Sequence, residues 1–465
     1  MVVAAPSPST TLPSASGVTL AEIVGALSFA LDMTEGQPPG HCVRCCHIGI
    51  RIAEELGLPA AARRDLYYTL LMKDLGCSSN AARICELYLA DDISFKSEFK
   101  EIDDSLASVL RFILQQTGLK AGLSERFRAL VNIARNGGAI AQEMIETRCQ
   151  RGAAIARRMR FSEDVARAIH SLDEHWNGNG RPERLAGEAI PLYARIALVA
   201  QVADVFHRSG GRDAAREEVR LRRSSWFDPA VVAAFEQAAD RDGFWSGLED
   251  EAIATGILAQ EPGSRLEPVD EDYLDDIAAA FAEVIDSKSP YTAGHSDRVA
   301  LFTDMIGESL GFDPARRRRL KRAALLHDIG KLGVSNQILD KPGKLDEAEW
   351  LVVRSHPTLS EEILSRISAF AELATIGGAH HERLDGKGYP RGLAGSAIPL
   401  DVRVVTVADI FDALTANRPY RKAMTLSQAL AILDADTGTA VDGTCVAALR
   451  QALARIDAEA VTAAG

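Results

Sequence analysis

The sequence predicts an all-α protein in which two helical bundles follow one another along the chain, and three observations carry this. Hydrophobic residues make up 47% and charged residues 25% of 465 positions, the balance of a folded chain. Ala, Leu, Arg and Glu are abundant, which favours helix over strand. Apolar residues recur at steps of three and four, as in Ile277, Ala280, Phe281, Val284 and Ile285, the mark of amphipathic helices. The third observation is internal repetition. His41–Gly57 follows the pattern of His295–Gly311, and Leu70–Gly76 that of Ala324–Gly330, both 254 residues apart.

In chain order, residues 1–17 are rich in Ala, Pro, Ser and Thr without the apolar stretch of a signal peptide, and are expected to be a disordered tail. Copy one spans 18–259. Further on the repeat resumes at a shorter offset, with Glu174-His175 read against His380-His381 and Asp204 against Asp409. Copy one therefore carries an insertion of roughly 47 residues, at about 80–147, with a helical pattern of its own in Leu106, Val109, Leu110 and Ile113. Pro262 and Gly263 mark a linker at 260–268. Copy two fills 269–456, and 457–465 is read as a second tail.

The formal net charge of −13 argues against a nucleic-acid polymer or an anionic membrane as partner, because both need clustered cations. No apolar run approaches the ~20 residues of a membrane span, so a cytoplasmic protein is expected. Seven cysteines, an odd number, point to reduced thiols rather than disulfides. The string His41-Cys42-Val-Arg-Cys45-Cys46-His47 has zinc-like residue types, but no second Cys/His pair follows at finger spacing. Small residues on a buried helix are the better reading.

Metal-ligand residue types are concentrated in copy two: His295, His327-Asp328, His356, His380-His381 and Asp409. One helical histidine is usually structural; five in one domain with two aspartates are not. Imidazole mixed with carboxylate suits divalent Fe, Mn, Zn, Ni or Co better than Ca or Mg. The adjacent pair His327-Asp328 can offer nitrogen to one ion and a bridging carboxylate to two, the layout of a two-metal hydrolase acting at phosphorus. Lys331, three residues after Asp328, falls on the same face and can neutralise developing phosphoryl charge. In Gly386-Lys-Gly-Tyr389-Pro390 the glycines permit close backbone approach, and Tyr389 offers a ring and hydroxyl at the rim. A structural turn is the alternative there. Arg418 and Arg421 are candidate phosphate or base contacts, or else a surface pair.

His327-Asp-Ile-Gly-Lys331 and His380-His-Glu-Arg-Leu-Asp-Gly-Lys-Gly-Tyr-Pro390 resemble the two signatures of the HD-GYP family, as do Thr292–Val299 and Asp409–Arg421. Members of that family hydrolyse cyclic di-GMP or related cyclic dinucleotides. The resemblance implies His295, His327, Asp328, His356, His380, His381 and Asp409 as ligands of a bimetal centre, Asp328 and Lys331 as catalytic residues, and Lys331 as a phosphate contact. Some members hold a third metal through a Glu four residues before the first His. Tyr291 stands at that position, so two metals are expected, Fe or Mn foremost.

Copy one has lost part of this set: Lys73 stands for His327, Cys77 for Lys331, Cys149 for His356 and Glu174 for His380. A lysine at a metal position opposes cation binding, so a degenerate scaffold is expected. The sharper alternatives are an anion pocket around Lys73 and Arg148, or a redox role for Cys149. The function these readings imply is hydrolysis of cyclic di-GMP to linear pGpG and onward to GMP. The alternatives are another cyclic dinucleotide such as cyclic GMP-AMP, or a non-catalytic nucleotide- or partner-binding module; a homodimer is a candidate assembly.

Overall fold

The computed structural model describes residues 18–102, 106–119, 121–249, 252–259, 261–262, 269–417 and 421–463. The expected tail at 1–17, most of the expected linker, and Arg418 lie outside them. Among the described residues there are helices and isolated bridges but no strand, as the sequence predicts. Copy one contributes α1 (Leu20–Thr34), α2 (His41–Glu55), α3 (Ala60–Met72), α4 (Asp92–Phe99), α5 (Leu123–Arg158), α6 (Glu163–His170), α7 (Leu192–Leu221) and α8 (Pro229–Ala239). Copy two answers with α9 (Glu271–Asp286), α10 (His295–Ser309), α11 (Pro314–Leu326), α12 (Glu347–Arg354), α13 (His356–Leu364), α14 (Ala371–Ala379), α15 (Leu400–Thr415) and α16 (Gly443–Ala463). The last helix continues past the expected end of the domain at 456.

Side-chain caps start several of these helices by satisfying amides that lack an intrahelical partner. Thr19 Oγ1 accepts from the Glu22 amide at 3.1 Å and Asp270 from the Tyr273 amide at 2.7 Å. Asp313 caps Arg316 at 2.9 Å just before Pro314, whose fixed φ suits the first helical position.

The two copies share one continuous apolar core. The first helix of each copy packs on the other: α1 lies against the turn Ile329–Gly333 and α13, while α9 lies against α5 and the turn Cys77–Asn80. This exchange makes a pseudo-two-fold interface within one chain. The Tyr273 hydroxyl donates to Met159 O at 2.8 Å, and near its symmetry counterpart the Ser368 amide donates to Glu22 at 2.6 Å. Arg158 pairs with Glu283 at 3.3 Å, and its counterpart Arg366 stacks 4.1 Å over Phe29. The ion pair is exposed and contributes little; buried Leu27, Leu31, Ile277 and Phe281 carry the interface.

Candidate metal centre

Gly40 (φ 86°) and Gly294 (φ 67°) adopt left-handed backbone just before α2 and α10, which favours glycine and sets His41 and His295 at the first position of each helix. His327 and Asp328 close α11 and lead into the turn Ile329–Gly333. A Cβ on Gly330 would lie 2.0 Å from His356 O, so only glycine lets this turn rest on the start of α13. There the Gly330 amide donates to Ser360 Oγ at 2.9 Å. His356 opens α13, His380 and His381 follow α14, and Asp409 lies within α15.

These seven residues converge around Asp328. Its Oδ1 faces His356 Nε2 at 3.3 Å and His380 Nε2 at 3.6 Å, and its Oδ2 faces His327 Nε2 at 3.3 Å and His295 Nε2 at 3.6 Å. Asp409 Oδ1 stands 3.4 Å from His295 Nε2. The His381 ring lies 4.1 Å from that of His380 and 5.0 Å from that of His356. Two donor groups result, His295–His327–Asp409 and His356–His380–His381, joined by Asp328.

The outward nitrogens are anchored. Nδ1 of His327, His356 and His380 meets the carbonyls of Ala324, Val353 and Gly377 at 2.7, 2.6 and 2.8 Å. A carbonyl only accepts, so each Nδ1 carries the proton and each Nε2 turns a lone pair inward. His295 Nδ1 is held by Asp412 at 2.7 Å, and Arg298 grips that carboxylate at 2.5 and 3.1 Å. Carboxylate–imidazole pairs of this kind orient metal ligands.

Nε2 of His295, Nε2 of His327 and Oδ1 of Asp328 are buried with no hydrogen-bond partner, and Nε2 of His356 and of His380 approach to 3.2 Å. Converging buried lone pairs are costly unless something electropositive lies between them. The set fits divalent transition metal. Burial opposes charge on His295, yet without a cation in the site Asp328 and Asp412 raise it to about 9, so the Nε2 lone pair is free for a metal only once that proton is displaced. Burial also works against ionised Asp328, but His327 and Lys331 hold it well below the usual carboxylate range. Burial pushes His380 down to about 4, and His356 and His381 down as well.

Lys331 Nζ lies 2.5 Å from Asp328 Oδ2 and is partly exposed. The Tyr389 ring packs 4.8 Å from His381, and the Arg354 guanidinium stands 5.4 Å from the ring centres of both Tyr389 and half-exposed Trp350. A Cβ on Gly388 would fall 2.4 Å from Arg383 N, so glycine lets the loop close behind His381. Glu382 pins the loop by accepting the Arg391 and Leu393 amides at 2.7 and 2.9 Å. Arg421 departs from the expected phosphate contact: it donates to Ala413 O and Leu414 O at 2.6 and 2.9 Å, filling the carbonyls that end α15. Asp412, Arg298 and Arg354 were not singled out from sequence. The first two sit three residues after Asp409 and His295, on the same helix faces, a spacing that would have found them; nothing local marks Arg354.

Copy one follows a different register from the one read in the sequence. Glu174 accepts the Glu183 and Leu185 amides at 2.6 and 2.9 Å, and Asp204 holds His41 Nδ1 at 2.7 Å together with Arg44. These are the contacts of Glu382 and Asp412. A Cβ on Gly76 would meet Arg148 O, just as one on Gly330 meets His356 O. From Arg148 to Asp204 the copies are thus 208 residues apart, and the insertion amounts to 46 residues. Arg148, not Cys149, stands for His356. Leu172 and Asp173, not Glu174 and His175, stand for His380 and His381, and Gln201, not Asp204, stands for Asp409. Only His41 and Asp74 survive of the seven.

Cations built into the chain occupy this site. Lys73 Nζ lies 3.1 Å from His41 Nε2 and bonds Asp74, and Arg148 pairs with Asp173. Cys149 is buried and its thiol is pushed up, first by burial, which is the opposite of a reactive thiolate. In the zinc-like string, His41 is taken by Asp204 and Lys73, and Cys42, Cys45 and Cys46 are fully buried.

Both copies match one family model, the HD domain, over residues 120–231 and 279–445. A relative from Vibrio cholerae, the 3′3′-cGAMP-specific phosphodiesterase 3, is 54% identical over 434 residues, covering 93% of this chain and 94% of its own. The cyclic di-GMP phosphodiesterase response regulator RpfG of Xanthomonas campestris pv. campestris is 42% identical over 179 residues, 38% of this chain and 47% of its own. Among solved structures, a cyclic GMP-AMP-specific phosphodiesterase of Vibrio cholerae, V-cGAP3, aligns with a TM-score of 0.65 at 49% identity, covering 94% of this chain and 98% of that one. The match in both copies, and the near full-length likeness, show that the chain belongs to the HD-domain family, with the HD-GYP-type signature residues in copy two.

Proposed function

We propose that this protein is a metal-dependent phosphodiesterase that opens 3′,3′-cyclic GMP-AMP to a linear, 5′-phosphorylated dinucleotide in copy two. The observation that carries hydrolysis is the pair of donor groups sharing Asp328, in which Nε2 of His295, Nε2 of His327 and Oδ1 of Asp328 are buried with no protein partner. They would hold two ions, one by His295, His327, Asp328 and Asp409 and the other by Asp328, His356, His380 and His381. Tyr291 adds no carboxylate for a third. When bound, the ions supply Lewis acidity toward phosphoryl oxygen and acidify water.

The chain's own residues do the rest. Asp412 and the three carbonyl anchors fix which nitrogen each imidazole presents. Lys331 carries a cation to the rim, where charge on the phosphoryl group develops. Tyr389 and Arg354 present a ring and a planar cation against which a base or phosphate can lie. The sequence led first to cyclic di-GMP. The likeness spanning both copies favours cyclic GMP-AMP, whereas the RpfG likeness is confined to part of the chain. Anaerobically prepared Fe- or Mn-loaded protein, given 3′,3′-cyclic GMP-AMP, cyclic di-GMP and cyclic di-AMP separately, should turn over the first fastest. Preference for cyclic di-GMP would support the second reading.

A further inference from the structure

Helix α4 belongs to the insertion in copy one, yet its two ends address both sites. Lys96 donates to Cys77 O at 2.9 Å and Thr34 O at 3.1 Å beside the filled site of copy one. Asp92, at the other end, enters copy two. Its Oδ1 accepts from the Asn336 amide at 2.8 Å and Ser335 Oγ at 3.0 Å, and its Oδ2 faces Lys288 Nζ at 3.5 Å. Asp92, Lys288, Asn336 and Ser335 are 0%, 2%, 1% and 5% exposed, so each group depends on the others for the polar contacts that water would otherwise give.

The network continues in one direction to the ligand His295 and in the other to Lys331. Asn336 Nδ2 donates to Lys288 O and to Asp340, each at 2.7 Å, and Asp340 accepts Ser289 Oγ at 2.5 Å. Ser289 Oγ accepts the Tyr291 amide at 3.2 Å and Ser289 O accepts Thr292 Oγ1 at 2.9 Å, while Thr292 O accepts the His295 amide at 2.9 Å. On the other side, Ser335 directly follows Val334, whose amide donates to Lys331 O at 3.0 Å. One carboxylate from copy one thus ties together the segment that delivers His295 and the segment that ends in Lys331.

We infer that Asp92, supplied by the insertion of copy one, is a positioning residue for the metal centre of copy two. The inference rests on copy two being the metal site proposed above, but not on the identity of the nucleotide. Its test uses the full chain, with Asp92→Ala and the milder Ser335→Ala, which removes one donor to Asp92. Tyr273→Phe, at the interface but away from both catalytic segments, is the comparison for simple loosening of the copies.

Two quantities are measured: hydrogen exchange of residues 288–295 in metal-free protein, and the Mn(II) concentration at half occupancy by electron paramagnetic resonance. Asp92→Ala should expose 288–295 to faster exchange and weaken Mn(II) binding on the order of tenfold, the scale for outer ligands that orient a metal site. Ser335→Ala should move both in the same direction by less, and Tyr273→Phe neither. Should Asp92→Ala fail to fold, Ser335→Ala carries the test alone. Unchanged exchange and Mn(II) binding in the folded variants, or equal shifts in Tyr273→Phe, would overturn the inference. Loss of cyclic GMP-AMP turnover by the unaltered protein would sink the proposed substrate and leave this result standing.

Discussion

Lys73 Nζ lies 3.1 Å from Nε2 of His41, so an ammonium takes the place in copy one that ions would take in copy two. The exchange of His327 for Lys73 is therefore more than the loss of a ligand, because the charge a metal would bring is supplied covalently. Burial works against charge on Lys73, yet Asp74 raises it well above its usual range. Burial, followed by Lys73, lowers His41 to about 4, so the pair is ammonium and neutral imidazole at neutral pH.

Metal content should follow this division. With two donor groups in copy two, elemental analysis of the loaded full chain is expected to return two ions per chain and not four. Asp328→Ala removes the carboxylate common to both groups and should lose most of the metal. An unchanged metal content in Asp328→Ala would break the account of a shared ligand.

Replacing Lys73 by Met should destabilise the protein, because Asp74 is buried and would lose its cation. Breaking one half of a buried pair costs about 3–5 kcal/mol. Chemical denaturation should find this loss, and metal content should not rise, since Arg148, Leu172 and Gln201 still replace three ligands.

Lys331→Ala should separate binding of metal from catalysis. The ligands stay in place, so metal content should hold, while kcat falls roughly 100-fold or more, the scale for removing one group that stabilises transition-state charge. A variant with full activity would remove Lys331 from the mechanism.

Asp32 gives a pH test of the fold. Its carboxylate accepts the Gly40 and Cys42 amides at 2.7 and 2.9 Å, and burial, only partly offset by Cys42 and by Lys73, raises it to about 6 from 3.8. Between those values the folded protein keeps a proton that the unfolded chain has released. The contribution to stability is therefore full below about pH 4 and is lost as pH rises through 6, by about 3 kcal/mol in total. Subtracting the unfolding free energy of Asp32→Asn from that of the unaltered protein should give a difference that falls across this window. A difference independent of pH would contradict it.

Much of this was legible in the sequence, for identifiable reasons. Helical periodicity and the paired Gly-His starts at His41 and His295 set the architecture. The ligands stood out because histidine is scarce and the chain spends five of ten on copy two. The register of copy one was misread because Glu174-His175 resembles a ligand pair, whereas the constraint that aligns the copies is the bond from Glu174 to two amides. Arg421 sits where a phosphate contact is expected, but the open carbonyls at the end of α15 claim it, a competition invisible without coordinates. The tie from Asp92 to Lys288 joins residues nearly two hundred positions apart and has no local signature.

The most direct test of the central claim compares turnover of 3′,3′-cyclic GMP-AMP by the unaltered full chain and by Asp328→Ala, both handled anaerobically with Fe or Mn. The account expects the unaltered protein to convert it to the linear dinucleotide and Asp328→Ala to fall to the rate without enzyme. Equal turnover by the two proteins, or an intact cyclic nucleotide with fully metal-loaded protein, would contradict it.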